Sequence, residues 1–386
     1  MAEIDPADLG RALGEVPLFR EMHRVLGAQT GPVNWEIAHQ IARAVAGAGG
    51  PGPGATKEEL RAFEESCRIA QMQITQHTGM EPGGLTRVEV VDRVSWANAN
   101  LDGFRPLVDR LSQRLRGQMS LLGDAGEGGM PGLPIQMVLD AIGPFLLGIQ
   151  MGFLVGFLSR TALAHYDLCL PRQDAGVLSF VHPNIVEVER ELQTDPRQFR
   201  LWLSMHEVAH QLHLHTYPWA LAHLRGLIER YVDGAEVDAG EVMERLQGLA
   251  DPEQLSRLLE HPDELLPLLT TPAQERMSTE IQAFMAVIEG YADWVVAKAG
   301  AGMLSELEKI REGASRRRVE RSPAERLLEG LLGLDLKPEH YRAGVRFVQT
   351  VADAGKLGDL WEGPGQAPTL EELREPAKWL ARVSFS

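Results

Sequence analysis

Six consecutive residues, Met205-His206-Glu207-Val208-Ala209-His210, carry the densest chemistry in this 386-residue chain. Two histidines four apart on a helix project to the same side, within reach of one ion. Neutral imidazoles suit zinc. Glu207 directly follows the first histidine, so its carboxylate lies beside such an ion without having to bind it. There it can take a proton from a water on the metal. Zinc lowers the pKa of that water toward neutrality and polarises a carbonyl, so hydrolysis at ordinary pH is the expected chemistry. The competing reading is an amphipathic helix with histidines on its polar face. Leu201, Leu203, Leu212 and Leu214 argue against it, because imidazoles in apolar company need a partner.

A catalytic zinc needs a third protein ligand and an open position. The best candidate lies 79 residues after His210 (289 − 210), in Glu289-Gly290-Tyr291-Ala292-Asp293. Glu289 and Asp293 are four apart on a helix whose stripe also holds Met285, Ala292 and Val296. Carboxylates on such a stripe must find a metal, a cation or donors. Glu289 can ligate, and Asp293 can hold the free N–H of a ligand histidine and fix its tautomer. The alternative is a charged helix edge facing solvent. His213, three after His210, is a further candidate ligand, with packing as the commoner role. His215 and His223 read as ordinary histidines. For the donor that stabilises an oxyanion, Tyr291, Tyr341, His340 and Arg346 are candidates among which sequence does not choose. Arg316, Arg317 and Arg318 read as a solvated face, with an acidic substrate terminus as the alternative ligand. Cys67 and Cys169 have no catalytic partner beside them and read as buried thiols. One pairing between them stays open.

The motif helix is placed at 196–215, capped by Asp195 with Pro196 in its first turn. Before it, 175–181 and 185–191 are rich in branched residues and alternate, so two strands are expected about the turn His182-Pro183-Asn184. The third-ligand helix runs from a capping-box start at Thr271 to about Ala299, ended by Gly300. Helices are also expected at 33–47, from Lys57 to about His77, over 88–122 with a break near Asn98–Gly103, at 218–232 and 240–260, and through most of 303–386. GAGGPGPGAT (47–56) and GDAGEGGMPGLP (123–134) read as loops. The fold class is mainly α with a small β-sheet (α+β). Its organisation is an N-terminal helical segment with a Gly/Pro-rich linker (1–56), then one elaborated domain (57–386).

Bulk composition narrows the partners. The formal charge of −16 argues against nucleic acid or an anionic membrane as partner. Residues 135–158 are apolar and long enough to span a bilayer, and Gly148, Gly152 and Gly156 form a small-residue face. Asp140, Gln150 and Gly143-Pro144 weaken that reading. A buried helix in close contact with a neighbour is expected instead. Two cysteines fit a reducing compartment. The first ten residues, MAEIDPADLG, contain no basic start or apolar run, so no secretory leader and a cytoplasmic location are expected.

HEVAH with EGYAD is similar to the gluzincin pattern, HExxH followed by a glutamate in a later helix. The runs YDLCLP (166–171), LSFVHPNIVEVER (178–190), DPRQFRLWLSMHEVAH (195–210) and GLLGLDLKPEHYRAGVRFV (330–348) resemble a bacterial zincin-like family of zinc-dependent metalloproteases or hydrolases, some members of which are linked to deazaflavin coenzyme biosynthesis. The resemblance extends roughly from Pro32 to the C-terminus. It implies a mostly helical zincin-like core, Zn2+ held by His206, His210 and Glu289, and Glu207 as base. The spacing to Glu289 is longer than in compact gluzincins. The expected activity is peptide hydrolysis, with hydrolysis of a small amide or ester, or a non-catalytic binding protein, as alternatives. The expected partner is a peptide or a small molecule. A strand near 176–181 is expected to offer its edge to an extended peptide.

Overall fold

In a computed structural model of the chain, the described residues are 31–48, 54–81, 87–123, 135–166, 177–234, 272–319, 326, 327, 330 and 337–384. The helix expected at 240–260, Cys169, the loop at 124–134 and the run 331–336 lie outside them. Among the described residues the architecture is mainly helical with one two-stranded sheet. In chain order it comprises α1 (Trp35–Ala46), α2 (Lys57–Thr78), β1 (Arg87–Val91), α3 (Arg93–Gly123), α4 (Ile135–Leu158), β2 (Val177–Val181), α5 (His182–Leu192), α6 (Pro196–Thr216), α7 (Pro218–Asp233), α8 (Pro272–Ala299), α9 (Leu307–Val319), α10 (Pro338–Asp353), α11 (Leu370–Arg374) and α12 (Pro376–Ser384).

Two expectations about the sheet need correction. The second strand, 185–191, is helix α5. Its buried positions, Ile185, Val188, Glu189 and Leu192, recur at helical spacing. Pro183 lies in its first turn, where its missing N–H does no harm. The partner of β2 is instead β1, paired in parallel with Val90 opposite Phe180. That strand lies at the head of the stretch 88–122, expected to be two helices with a break between them. Nor does α3 break near Asn98–Gly103. Asn98 Oδ1 accepts from Arg43 Nε on α1, and Asn100 donates back to the Trp96 carbonyl, so both amides are occupied without opening the helix.

α4 packs on α1 through the glycine stripe. A Cβ at Gly152 would sit 2.7 Å from the Ala38 carbonyl oxygen, and one at Gly156 would sit 2.7 Å from Val45 Cβ. Only glycine allows the two backbones this close. Among the described residues no helix is long and apolar enough to cross a membrane.

The centre of the molecule is α8. Every residue from 281 to 293 is buried. It is enclosed by α2, α6, α7, α10 and α11. A helix buried on all faces is usually apolar throughout, so Glu289 and Asp293 within it stand out. Contact with α10 occurs backbone to backbone at Gly290 and Gly344, where a Cβ on Gly290 would lie 2.6 Å from the Gly344 carbonyl carbon.

Candidate metal centre

α6 begins as expected, with Asp195 accepting from the Arg197 N–H (2.8 Å) and Pro196 in the first turn. Bidentate contact of Arg200 with buried Glu189 (2.6 and 3.1 Å) ties the helix to α5. One and a half turns later His206 and His210 meet edge to face, their ring centroids 4.7 Å apart. α8 crosses opposite and presents Glu289. Its Oε1 lies 3.3 Å from His210 Nε2 and its Oε2 lies 3.8 Å from His206 Nε2. The ligating atoms of the three residues all fall within 4.8 Å of one another.

These residues fit a tetrahedral cation. Ligand atoms about 2.05 Å from a zinc at tetrahedral angles stand roughly 3.3 Å apart, close to the separations seen. His210 Nε2 is buried and makes no hydrogen bond among the described residues, although a carboxylate oxygen faces it. Two nitrogens and one oxygen are also the donor types zinc takes when a fourth position stays open for chemistry.

Glu207 is not one of the three converging residues. It is buried, and its Oε2 accepts a 2.9 Å hydrogen bond from the Tyr166 backbone N–H. Tyr166 also places its ring 5.6 Å from that of His210. The segment leading to it is anchored at the sheet: Val181 N donates to the Leu163 carbonyl (2.8 Å), and Ala164 forms an antiparallel bridge to Phe180. At Phe180 and Val181, therefore, this side of β2 is occupied by the chain itself rather than open to an added strand.

Asp293, one turn after Glu289, accepts a bidentate contact from Arg311 of α9 (3.1 and 2.7 Å). A cavity of about 720 Å3 opens beside His206. Its walls include Trp202, Asp293, Arg311, Tyr341 and Arg346. The structure thus separates the four candidate oxyanion donors. Tyr341 and Arg346 line this cavity. Tyr291 lies on the opposite face of α8 from Glu289, packed on His213 and Trp361 with its hydroxyl toward Met80 Sδ (3.8 Å). Burial and the nearby Tyr217 push its phenol pKa up. His340 is buried toward α11, its Nε2 3.5 Å from an Arg374 nitrogen.

His213 is not among the converging donors. It sits in a cage of Tyr217, Tyr291 and Trp361, and burial, with the adjacent His210, pushes its pKa down to about 3. Cys67 is a buried thiol, as expected. Burial pushes it up to about 12, with Glu207 and Glu64 adding to the shift and Ser204 opposing it. Of the arginine run, Arg317 is held by Glu191 (3.5 Å) and the Thr161 carbonyl (3.2 Å).

Three neighbours of the site were not singled out in the sequence. Trp202 lies one turn before His206, with rings 5.8 Å apart, and helical spacing alone signals that contact. Tyr166 and Arg311 reach the site from other elements, and no spacing rule announces them.

A mainly helical core that brings an i, i+4 histidine pair against a glutamate from a distant helix defines a zincin-type site. The chain belongs to the zincin-like metallopeptidase family, which it matches over residues 33–380. It is also similar to a solved structure from Chloroflexus aurantiacus, described provisionally as a hydrolase with a novel fold. The two share 26% identity and a TM-score of 0.64, covering 92% of this chain and 99% of the other. No curated protein matches the chain.

Proposed function

We propose that the chain is a zinc-dependent hydrolase acting on peptide bonds, with His206, His210 and Glu289 as the metal-binding set and Glu207 as general base. The observation that carries this reading is the convergence of three donor atoms within 4.8 Å from two helices, beside a buried carboxylate that is not one of them. Zinc at this position would supply Lewis acidity toward a carbonyl and lower the pKa of water toward neutrality. The protein's own groups do the rest. The Tyr166 N–H fixes one oxygen of Glu207, and the carboxylate takes the proton of the attacking water and returns it to the departing amine. Asp293, held by Arg311, stands one turn from Glu289, where it can orient His206. Tyr341, on the cavity wall, is the candidate donor to charge developing on the carbonyl oxygen.

A small amide or ester is the second reading, favoured by the cavity volume. About 720 Å3 lies within the range of roughly 300–1,000 Å3 usual for small-molecule sites. Elemental analysis and turnover test both readings. Purified protein should hold one zinc, lose hydrolysis on chelation and regain it on adding zinc. A panel running from single amides to longer peptides then separates the two. Hydrolysis unaffected by complete zinc removal ends the proposal.

A further inference from the structure

The cavity beside His206 has a charged wall that the hydrolytic groups do not use. α9 contributes Glu308, Lys309, Arg311 and Glu312, and α10 contributes Arg342 and Arg346. Most of these charges are already engaged. Arg311 is bound by Asp293 (2.7 Å) and by Glu308 (3.4 Å). Lys309 donates to the Gln193 carbonyl (2.5 Å). Arg342 and Arg346 differ: among the described residues neither guanidinium has a hydrogen-bond or ion-pair partner. Glu312 is the remaining carboxylate on the wall.

Arg342 and Arg346 lie four apart on α10, so the two cations share one helix face. Like charges at that spacing weaken a helix. Both arginines line the same cavity as His206. Guanidinium groups match a carboxylate in planar, bidentate fashion.

We infer that Arg342 and Arg346 bind a carboxylate of the substrate, so that the hydrolase acts on acidic or C-terminally free acyl compounds. The inference rests on the hydrolase reading of the site, and it names the substrate class. The carboxylate has two sources, a terminal α-carboxylate or an acidic side chain. Three probes tell them apart: N-acetyl-Gly-Leu, its C-terminal amide, and N-acetyl-Gly-Glu amide.

Binding is measured by titration calorimetry on zinc-loaded Glu207→Gln protein, so turnover does not enter. The free acid, the Glu amide or both should bind at least tenfold more tightly than the neutral amide. An Arg342→Ala/Arg346→Ala double variant should lose that preference and leave the neutral amide unchanged. Lysine at both positions should restore part of it. Both side chains are exposed, and an unchanged circular dichroism spectrum will show that the double variant folds. Equal affinity for all three probes, absence of any carboxylate binding, or a preference that survives in the double variant overturns the inference. Hydrolysis by wild type without carboxylate preference would leave the hydrolase reading standing alone. Arginine-dependent binding without hydrolysis would leave only the anion pocket.

Discussion

Glu289 Oε1 stands 3.3 Å from His210 Nε2, with both groups buried and delivered by helices α8 and α6. Two such groups held together without a cation are poorly solvated, and a cation shared between them removes that penalty. Glu289→Ala should therefore lower zinc affinity by more than the ~10–100-fold typical of residues that merely support a ligand. Competition against a fluorescent chelator measures it. Equal zinc affinity in wild type and variant would move the third ligand elsewhere.

Metal should also stabilise the fold, because the three ligands converge only when α6 and α8 are packed. At a free zinc concentration a hundredfold above Kd, the gain is about 2.7 kcal/mol. Calorimetric scans of chelated and zinc-loaded protein should differ by several degrees in Tm. The difference should vanish in Glu289→Ala.

Glu207→Gln keeps an oxygen able to accept the Tyr166 N–H but cannot take a proton. Zinc content should match wild type, while kcat falls by roughly 10²–10⁴. A variant as fast as wild type ends the general-base assignment.

At the α8–α10 crossing no room exists for a methyl group. Gly290→Ala and Gly344→Ala should each destabilise by about 1–3 kcal/mol in urea titrations, as overpacked cores do. Gly358, with nothing near its missing Cβ, is the control, and Gly358→Ala should stay within about 0.5 kcal/mol of wild type.

His213 is buried and neutral, its pKa depressed from 6.5 to about 3. The unfolded chain takes up this proton as pH falls below 6.5, and the folded chain does not. Its contribution is thus fully present above pH 6.5 and is lost progressively down to pH 3. The slope approaches about 1.4 kcal/mol per pH unit. His213→Phe, which keeps an aromatic ring in the cage, should flatten that part of the profile in chelated protein. Identical pH profiles would show that the imidazole is not buried as a neutral group.

The sequence carried what depends on local spacing. HEVAH on a capped helix and EGYAD on a second helix were legible because i, i+4 geometry fixes which side chains share a face. The buried carboxylates of α8 could be reasoned to need partners. Non-local pairing was not legible. Alternation in 185–191 imitated a strand, because two valine–glutamate pairs fit either period over so few residues. The parallel partner β1 was hidden at the edge of a helical stretch. Tyr291 and Glu289 are neighbours in sequence, yet lie on opposite sides of a fully buried helix, which only the packing around α8 reveals. Likewise, Arg311 reaches Asp293 from a helix that no pattern connects to it.

The contact of Gly290 with Gly344 has a further consequence. Since main chain meets main chain there, no adaptable side chain separates the helix bearing Glu289 from the helix bearing Arg342 and Arg346. The span between a bond held at the histidines and a charge held at those arginines is then gauged by peptide backbone, as on a rigid ruler. Measured across acyl compounds of increasing length, kcat/KM should peak sharply at one size. A flat dependence would mean that the two ends are not held at once.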